Sequence, residues 1–193
     1  MYCFQCQETM RNTACTSMGY CGKPEETANL QDLLVHVLKG VSIYAKKLKE
    51  LGISDKSTGR FVNQGLFATI TNANWDEARF EKLIRDALKL RGQLRNQFLA
   101  AYKDKTGRSF NEPLHDSATW TADTSAEFAG KAKSVGVLST ENEDVRSLRE
   151  LLIIGLKGVG AYADHAAVLG FEKDEIYDSI LEGLASTTED RTV

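Results

Sequence analysis

Residues 30–52 read LQDLLVHVLKGVSIYAKKLKELG, and residues 148–170 read LRELLIIGLKGVGAYADHAAVLG. At a constant offset of 118 the two stretches agree at 11 of 23 positions, including the unbroken Leu-Lys-Gly-Val at 38–41 and 156–159 and the Tyr-Ala at 44–45 and 162–163. Similarity of a chain to itself at a fixed spacing marks a duplicated structural unit. In the first copy Leu30, Leu33, Leu34, Val37, Leu38, Val41, Tyr44, Ala45, Leu48 and Leu51 recur three and four residues apart, which is the period of one helical face. Pro24 suits the start of that helix and Gly52 its stop. Gly40 and Gly158 fall inside the two helices, where glycine costs about 1 kcal/mol relative to alanine. Each is therefore expected to admit a close neighbouring helix.

Outward from this pair, a second helix is predicted over 58–71, carrying Phe61, Leu66, Phe67 and Ile70. Asn74 can cap a third, whose apolar face runs from Phe80 through Leu83, Ile84, Ala87, Leu88, Leu94, Phe98 and Tyr102 to Gly107. Three helices with short loops predict an antiparallel bundle over 25–107. Residues 108–141 are rich in Ser, Thr and Asp and read as a connector with one short helix near 125–133. A second bundle is expected over 142–193, its second helix at 173–185. The offset carries Trp75, where the third helix begins, onto Val193, the last residue. The second copy is thus expected to lack its third helix, as a fragment or as a chain completed by another polypeptide. The alternative is that the second helix pair packs directly on the first bundle, leaving no deficit to fill. The expected fold class is all-α, a duplicated three-helix-bundle architecture preceded by a cysteine-rich metal loop over residues 1–24.

All four cysteines, Cys3, Cys6, Cys15 and Cys21, lie in that loop, and none follows. Disulfides would tie distant segments and suit an oxidising compartment. A C-x2-C-x8-C-x5-C cluster with Gly19 and Gly22 instead describes a chelating loop. Structural zinc and an iron–sulfur cluster both accept four thiolates. Zinc sites usually present two close cysteine pairs, whereas one pair and two singles favour the larger [4Fe–4S] cubane. Tyr2, Phe4, Met10, Met18 and Tyr20 are placed either to shield such a site or simply to pack the loop.

Composition excludes several function classes. With 42% hydrophobic and 26% charged residues the chain is close to the globular average. Its 24 Lys and Arg against 27 Asp and Glu give a net charge of −3, so no overall positive field draws nucleic acid or anionic lipid. Unbroken apolar runs such as 151–154 fall far short of the roughly 18 residues of a membrane span. The N-terminus lacks the basic and apolar regions of a secretory signal, which points to the cytoplasm. The 155–160 stretch GLKGVG lies within a helical period with no preceding strand, so a phosphate loop is not expected. His36, His115 and His165 are expected as surface or helix-face residues, and Lys46, Lys47 and Lys49 as a solvated face, with docking of an acidic donor as the functional alternative. No catalytic nucleophile–base pair is expected.

The opening MYCFQCQET at 1–9, the MGYCGK at 18–23 and the duplicated Leu-Lys-Gly-Val together resemble the N-terminal region of the hybrid cluster proteins, also called prismane proteins. The resemblance covers essentially the whole chain. It implies that Cys3, Cys6, Cys15 and Cys21 ligate a conventional cluster, and the tight spacing resembles the [4Fe–4S] branch rather than the [2Fe–2S] one. It further implies a longer parent protein whose second, hybrid cluster reduces hydroxylamine and nitric oxide. The thiolates for that cluster are not encoded here. The expected role is an electron-transfer module that takes electrons from a redox partner protein. The alternative is a non-redox helical interaction module with a structural zinc or iron–sulfur loop.

Overall fold

The computed structural model describes residues 1–189. Val193, onto which the offset carries Trp75, and the rest of 190–193 lie outside the described residues. Among the described residues the regular structure is two short 3-10 helices (Met10–Asn12 and Val137–Ser139) and seven α-helices: α1 (Glu25–Glu50), α2 (Lys56–Ala68), α3 (Glu77–Thr106), α4 (Asp116–Thr119), α5 (Ser125–Ala132), α6 (Glu143–Val168) and α7 (Asp174–Ser186). No β-strand occurs among the described residues, only an isolated antiparallel bridge between Cys3 and Cys15.

Local chemistry sets the helix ends. Pro24 is the N-cap of α1, and Gly52 and its mate Gly170 both take φ +85° just past α1 and α6, a conformation open to glycine. The Asp55 side chain accepts the backbone N–H groups of Ser57 at 3.1 Å and Thr58 at 3.2 Å, so α2 begins two residues before the expected 58. It ends at Ala68, short of the expected 71, because Thr69 turns its hydroxyl back onto Leu66 O at 2.8 Å. Asp76, not Asn74, caps α3 by accepting the Arg79 N–H at 3.1 Å, while Asn74 accepts the Asp76 N–H. The connector holds α5 as expected, closed by a Thr124–Glu127 capping box, and also α4, which the sequence pattern does not reveal.

The duplication extends to geometry. α6 and α7 begin and end 118 residues after α1 and α2. Packing follows the same rule, with α1 against α7 as α6 is against α2, and α1 against α2 as α6 is against α7. Leu38 covers Gly65 and its mate Leu156 covers Gly183, so that a methyl on either glycine would lie 2.7 Å or 3.1 Å from the leucine. Thr187 repeats the back-bond of Thr69, onto Leu184 O at 2.7 Å. Between α2 and α7 Gly59 faces its own mate Tyr177, whose Cβ would lie 2.5 Å from a methyl on the glycine. A residue that meets its own mate lies on the pseudo-twofold axis.

The three helices of 25–107 therefore do not close on one another as the sequence suggests. α2 packs on α6 and α7, while α3 lies along the far side of α1 together with α4 and α5. The second pair packs directly on the first, as in the alternative expectation, but the other half of that expectation, that no deficit is left to fill, does not follow, since one face of α6 stays uncovered among the described residues. Leu33, Leu34, Val37, Leu38 and Val41 of α1 are fully buried at its centre.

One face departs from the repeat. Leu33 is buried and Tyr44 is 2% exposed, but their mates Leu151 and Tyr162 on α6 are 69% and 80% exposed. At Gly40 a methyl would collide with the Ser117 carbonyl of α4 and come within 2.9 Å of Arg91 Cδ, whereas at Gly158 nothing lies within 4 Å. The close neighbour expected at both glycines exists only at Gly40, because α3 and α4 cover α1 and no described element covers the same face of α6. That outward face makes α6, among the described residues, the one helix long and apolar enough by composition to cross a membrane.

Candidate metal centre

The N-terminal segment is shaped by backbone hydrogen bonds rather than by regular structure. Cys3 and Cys15 exchange both backbone bonds, at 3.0 and 2.8 Å, and the Thr9 hydroxyl donates to Cys3 O at 3.1 Å. Arg11 and Asn12 take φ values of 55° and 54°, folding the excursion between the paired segments back on itself. A second turn is closed by Gly19 N–H to Lys23 O and Gly22 N–H to Gly19 O, both 2.8 Å, with Gly22 at φ +85°. A methyl on Gly19 would lie 3.0 Å from Cys21 Sγ, so this glycine lets the backbone pass close beneath that thiol.

All four cysteines are free thiols; Cys15 is buried, and Cys3, Cys6 and Cys21 are partly exposed. The Tyr20 backbone N–H donates to the Cys15 sulfur at 3.4 Å, and backbone hydrogen bonding from Met10 and Tyr20 holds its thiol below the ordinary value against the opposing effect of burial. Lowered thiol pKa and N–H···S donation both favour thiolate, the form that binds metals. Among the described residues no three His, Cys, Asp or Glu side chains converge closely enough to hold a single metal ion. The donor set itself, four unpaired thiols on one backbone-bonded loop, has the soft character that iron–sulfur centres use. Of the flanking residues, Met18 and Tyr20 are exposed, so they do not shield the loop, while Tyr2 and Phe4 stack edge to face at 6.0 Å.

The loop is seated on α1. The Met1 ammonium pairs with Glu25 at 2.9 Å, and the Lys23 ammonium, only 1% exposed, donates to Gln31 Oε1 at 2.7 Å. Behind Cys3 a small cavity is lined by Tyr2, Phe4, Asp32, Glu150 and Lys157. Burial pushes the Asp32 carboxyl up to about 7 and the Lys157 ammonium down to about 8. Asp32 and Lys39 of α1 are the repeat mates of Glu150 and Lys157 of α6, so the duplication places an acid and a base from each copy across one cleft. The apolar agreements of the repeat mask this group in the sequence; alignment of its charged positions brings it out.

The other candidate residues lie elsewhere. His36 is buried, not on the surface, and shares a 2.9 Å hydrogen bond with Asp116, which Lys131 also approaches at 2.7 Å. His115 bonds Ser117, and His165 meets the Phe67 ring at 5.5 Å. The lysines of α1 are not a free solvated face. Lys46 pairs with Glu189, and Lys49 with Asp178 and Glu182, which ties α1 to α7 and to the turn at its C-terminal end.

Comparison with known proteins bears on this geometry. A sequence model described as the Prismane/CO dehydrogenase family matches residues 1–193. A hydroxylamine reductase of Nitratidesulfovibrio vulgaris is 69% identical over the whole chain, which covers 35% of that protein. Those of Halothermothrix orenii and Desulfitobacterium hafniense are 54% and 55% identical over 98% of the chain, which covers 34% of each. The chain thus spans about a third of the length of these relatives.

Proposed function

The chain belongs to the Prismane/CO dehydrogenase family, and from that premise we propose that its N-terminal loop holds an iron–sulfur cluster of the [4Fe–4S] type through Cys3, Cys6, Cys15 and Cys21. The observation that carries the reading is the loop itself, which bears all four free thiols, pairs Cys3 with Cys15 through a backbone bridge and donates the Tyr20 N–H to the Cys15 sulfur. When bound, such a cluster supplies reversible storage of one electron. The residues of this chain would seat it: Met10 and Tyr20 N–H groups favour the Cys15 thiolate, Gly19 leaves room beneath Cys21, and Lys23 locks the loop onto α1 through Gln31. Structural zinc, which four thiolates would also hold, is the alternative occupant of the same loop.

The corresponding role is an electron-transfer module within a longer hydroxylamine reductase. A redox partner protein delivers electrons at the exposed side of the loop, where Met18 and Tyr20 stand out. Neither nucleic acid nor membrane is a partner on this reading, and the site of action is the cytoplasm. The uncovered face of α6 supports a duplicated three-helix architecture in the parent protein. A further helix of the α3 kind, from the remaining domains or from another chain, covers Leu151, Val159 and Tyr162 as α3 and α4 cover Leu33, Val41 and Tyr44.

Iron and sulfide analysis under anaerobic conditions, with visible and electron-spin spectra, tests the cluster. The expected result is about four iron and four sulfide per chain, reducible by dithionite and lost in Cys15→Ser. One zinc per chain, or a colourless protein equally stable without metal, would leave a helical interaction module. For the α6 face, binding of a hydrophobic dye to this chain is expected to fall when about 30 further residues of the parent protein are appended, the length of a second α3. Unchanged binding counts against a helix supplied by the remaining domains, whereas a dimer that buries the face means that another chain covers it.

A further inference from the structure

The four charged residues behind the loop are two acid–base pairs brought together by the repeat, yet they are not equivalent. Lys157 is 7% exposed and lines the cavity that Cys3 lines, and the negative charge of a Cys3 thiolate acts on it. Its mate Lys39 faces Glu150, Arg149 and Asp32 instead and does not line that cavity. Among the described residues no hydrogen bond or ion pair holds the Lys157 ammonium, although Asp32, Glu150 and Lys23 all act on it across the cleft. The anionic groups that act on it are Asp32, whose carboxyl burial favours in the protonated form, Glu150 and Cys3, all of which line the same cavity. A second buried ammonium, Lys23, stands on the same side and lowers the Cys15 thiol. Two desolvated cations thus back a loop of four thiols, where charges are screened far less than at the surface.

We infer that Lys157 is a positioning residue for redox function, its buried ammonium raising the reduction potential of the centre that Cys3 helps to hold. The inference rests on the iron–sulfur reading above. Reduction adds one electron from an external donor, and so one negative charge, to a centre already ligated by four thiolates; no bond forms or breaks. A positive charge lining the same cavity as Cys3 stabilises the more negative state. Charge and hydrogen bonding around the sulfurs are among the features that set cluster potentials. The preserved Lys in both copies has then acquired two uses: Lys39 sits within the helix cleft, and Lys157 serves the loop.

The test is an anaerobic redox titration of the cluster-loaded chain with dithionite as reductant, followed by electron-spin signal, for wild type, Lys157→Met, Lys157→Arg and Lys39→Met. Iron content and thermal unfolding are measured on each, so that a fold defect is seen as such. For Lys157→Met the reduced-to-oxidised ratio at a fixed poise is expected to fall about tenfold, which is 59 mV for a one-electron couple. Lys157→Arg is expected to restore most of it, and Lys39→Met to change it by less than about threefold, or roughly half that figure. A loaded, folded Lys157→Met with unchanged potential overturns the inference, as does an equal shift from Lys39→Met. If the wild-type chain takes up no cluster, the iron–sulfur reading itself fails; if it does take one up and Lys157→Met leaves the potential unchanged, only the present inference fails.

Discussion

Gly40 and Gly158 occupy the same place in the same Leu-Lys-Gly-Val sequence, and the same substitution is predicted to act on them with opposite signs. Replacing a helix-interior glycine by alanine gains about 1 kcal/mol in helix propensity. At Gly158 nothing lies within 4 Å of the added methyl, so that gain stands. Gly158→Ala is expected to stabilise the chain by about 0.5–1 kcal/mol and to raise Tm by roughly 1–4 °C. At Gly40 the methyl meets the Ser117 carbonyl, which is backbone and can yield only by moving α4. Overpacking of this kind costs about 1–3 kcal/mol. The same carbonyl accepts Arg91 Nη1 at 2.7 Å in a buried bond, and loss of a bond to a charged group costs about 1.5–3 kcal/mol. After the helix gain, Gly40→Ala is expected to destabilise by about 2–4 kcal/mol and to lower Tm by roughly 5–15 °C. Parallel urea and thermal unfolding of the two variants, with circular dichroism as the signal, reads both effects. Shifts of the same sign would refute the argument, because they would mean that the cover over α1 is not what separates the two helices. In a longer parent that covers α6, Gly158→Ala should join Gly40→Ala in destabilising.

Three further outcomes rest on individual contacts. Burial, acting against the neighbouring Asp116, holds the His36 imidazole down at about 4. Its folded value lies below the unfolded one, so this stability is fully present above about pH 6.5 and is lost as pH falls through about 4, for at most about 3 kcal/mol. Urea midpoints at pH 7.5 and 4.5 should differ accordingly, and His36→Gln should flatten the difference. Leu33→Glu puts a charge into the centre of α1 and should abolish cooperative unfolding, whereas Leu151→Glu, at the exposed mate, should change stability by less than about 0.5 kcal/mol. Asp55→Ala removes the cap of α2 and should cost about 1 kcal/mol, while Lys173→Asp at the mate position, where α7 has no side-chain cap, should return about 0.5–1 kcal/mol, both read from denaturant midpoints.

The helices are legible in the sequence because their apolar residues keep a strict period, and the repeat is legible because eleven agreements in one register are hard to reach otherwise. Their assembly is not. Nothing in the periodicity of Phe61, Leu66 and Phe67 says that α2 prefers the partners α6 and α7 to α3, since an apolar stripe names no partner. Gly59 and Tyr177 decide that packing, and neither residue looks special in sequence. The close approach expected at Gly40 exists, but extending it to Gly158 by analogy fails. Covering Gly40 depends on α4, a four-residue helix too short to leave a periodic signal. For the candidate centre, the spacing of the cysteines carries the identity of the proposed ligands, while the backbone bridge and the buried lysines behind it emerge only in three dimensions. A Lys is read from sequence as a solvated charge, and both Lys23 and Lys157 break that rule.

The meeting of Gly59 with Tyr177 has a bearing on the ancestry of the fold. Two identical halves joined about a twofold axis place every axial residue against a copy of itself. Two tyrosines there would collide at the distance now filled by one ring stem, and two glycines would leave a hole the size of a side chain. The present pair is the asymmetric solution, available only after the copies were fused and free to drift apart. Each half is now cut to fit the other and no longer to fit itself, so neither helix pair can be exchanged for its twin. The similarity still visible in the sequence is thus a record of origin, while the working complementarity lies in the positions where the copies disagree.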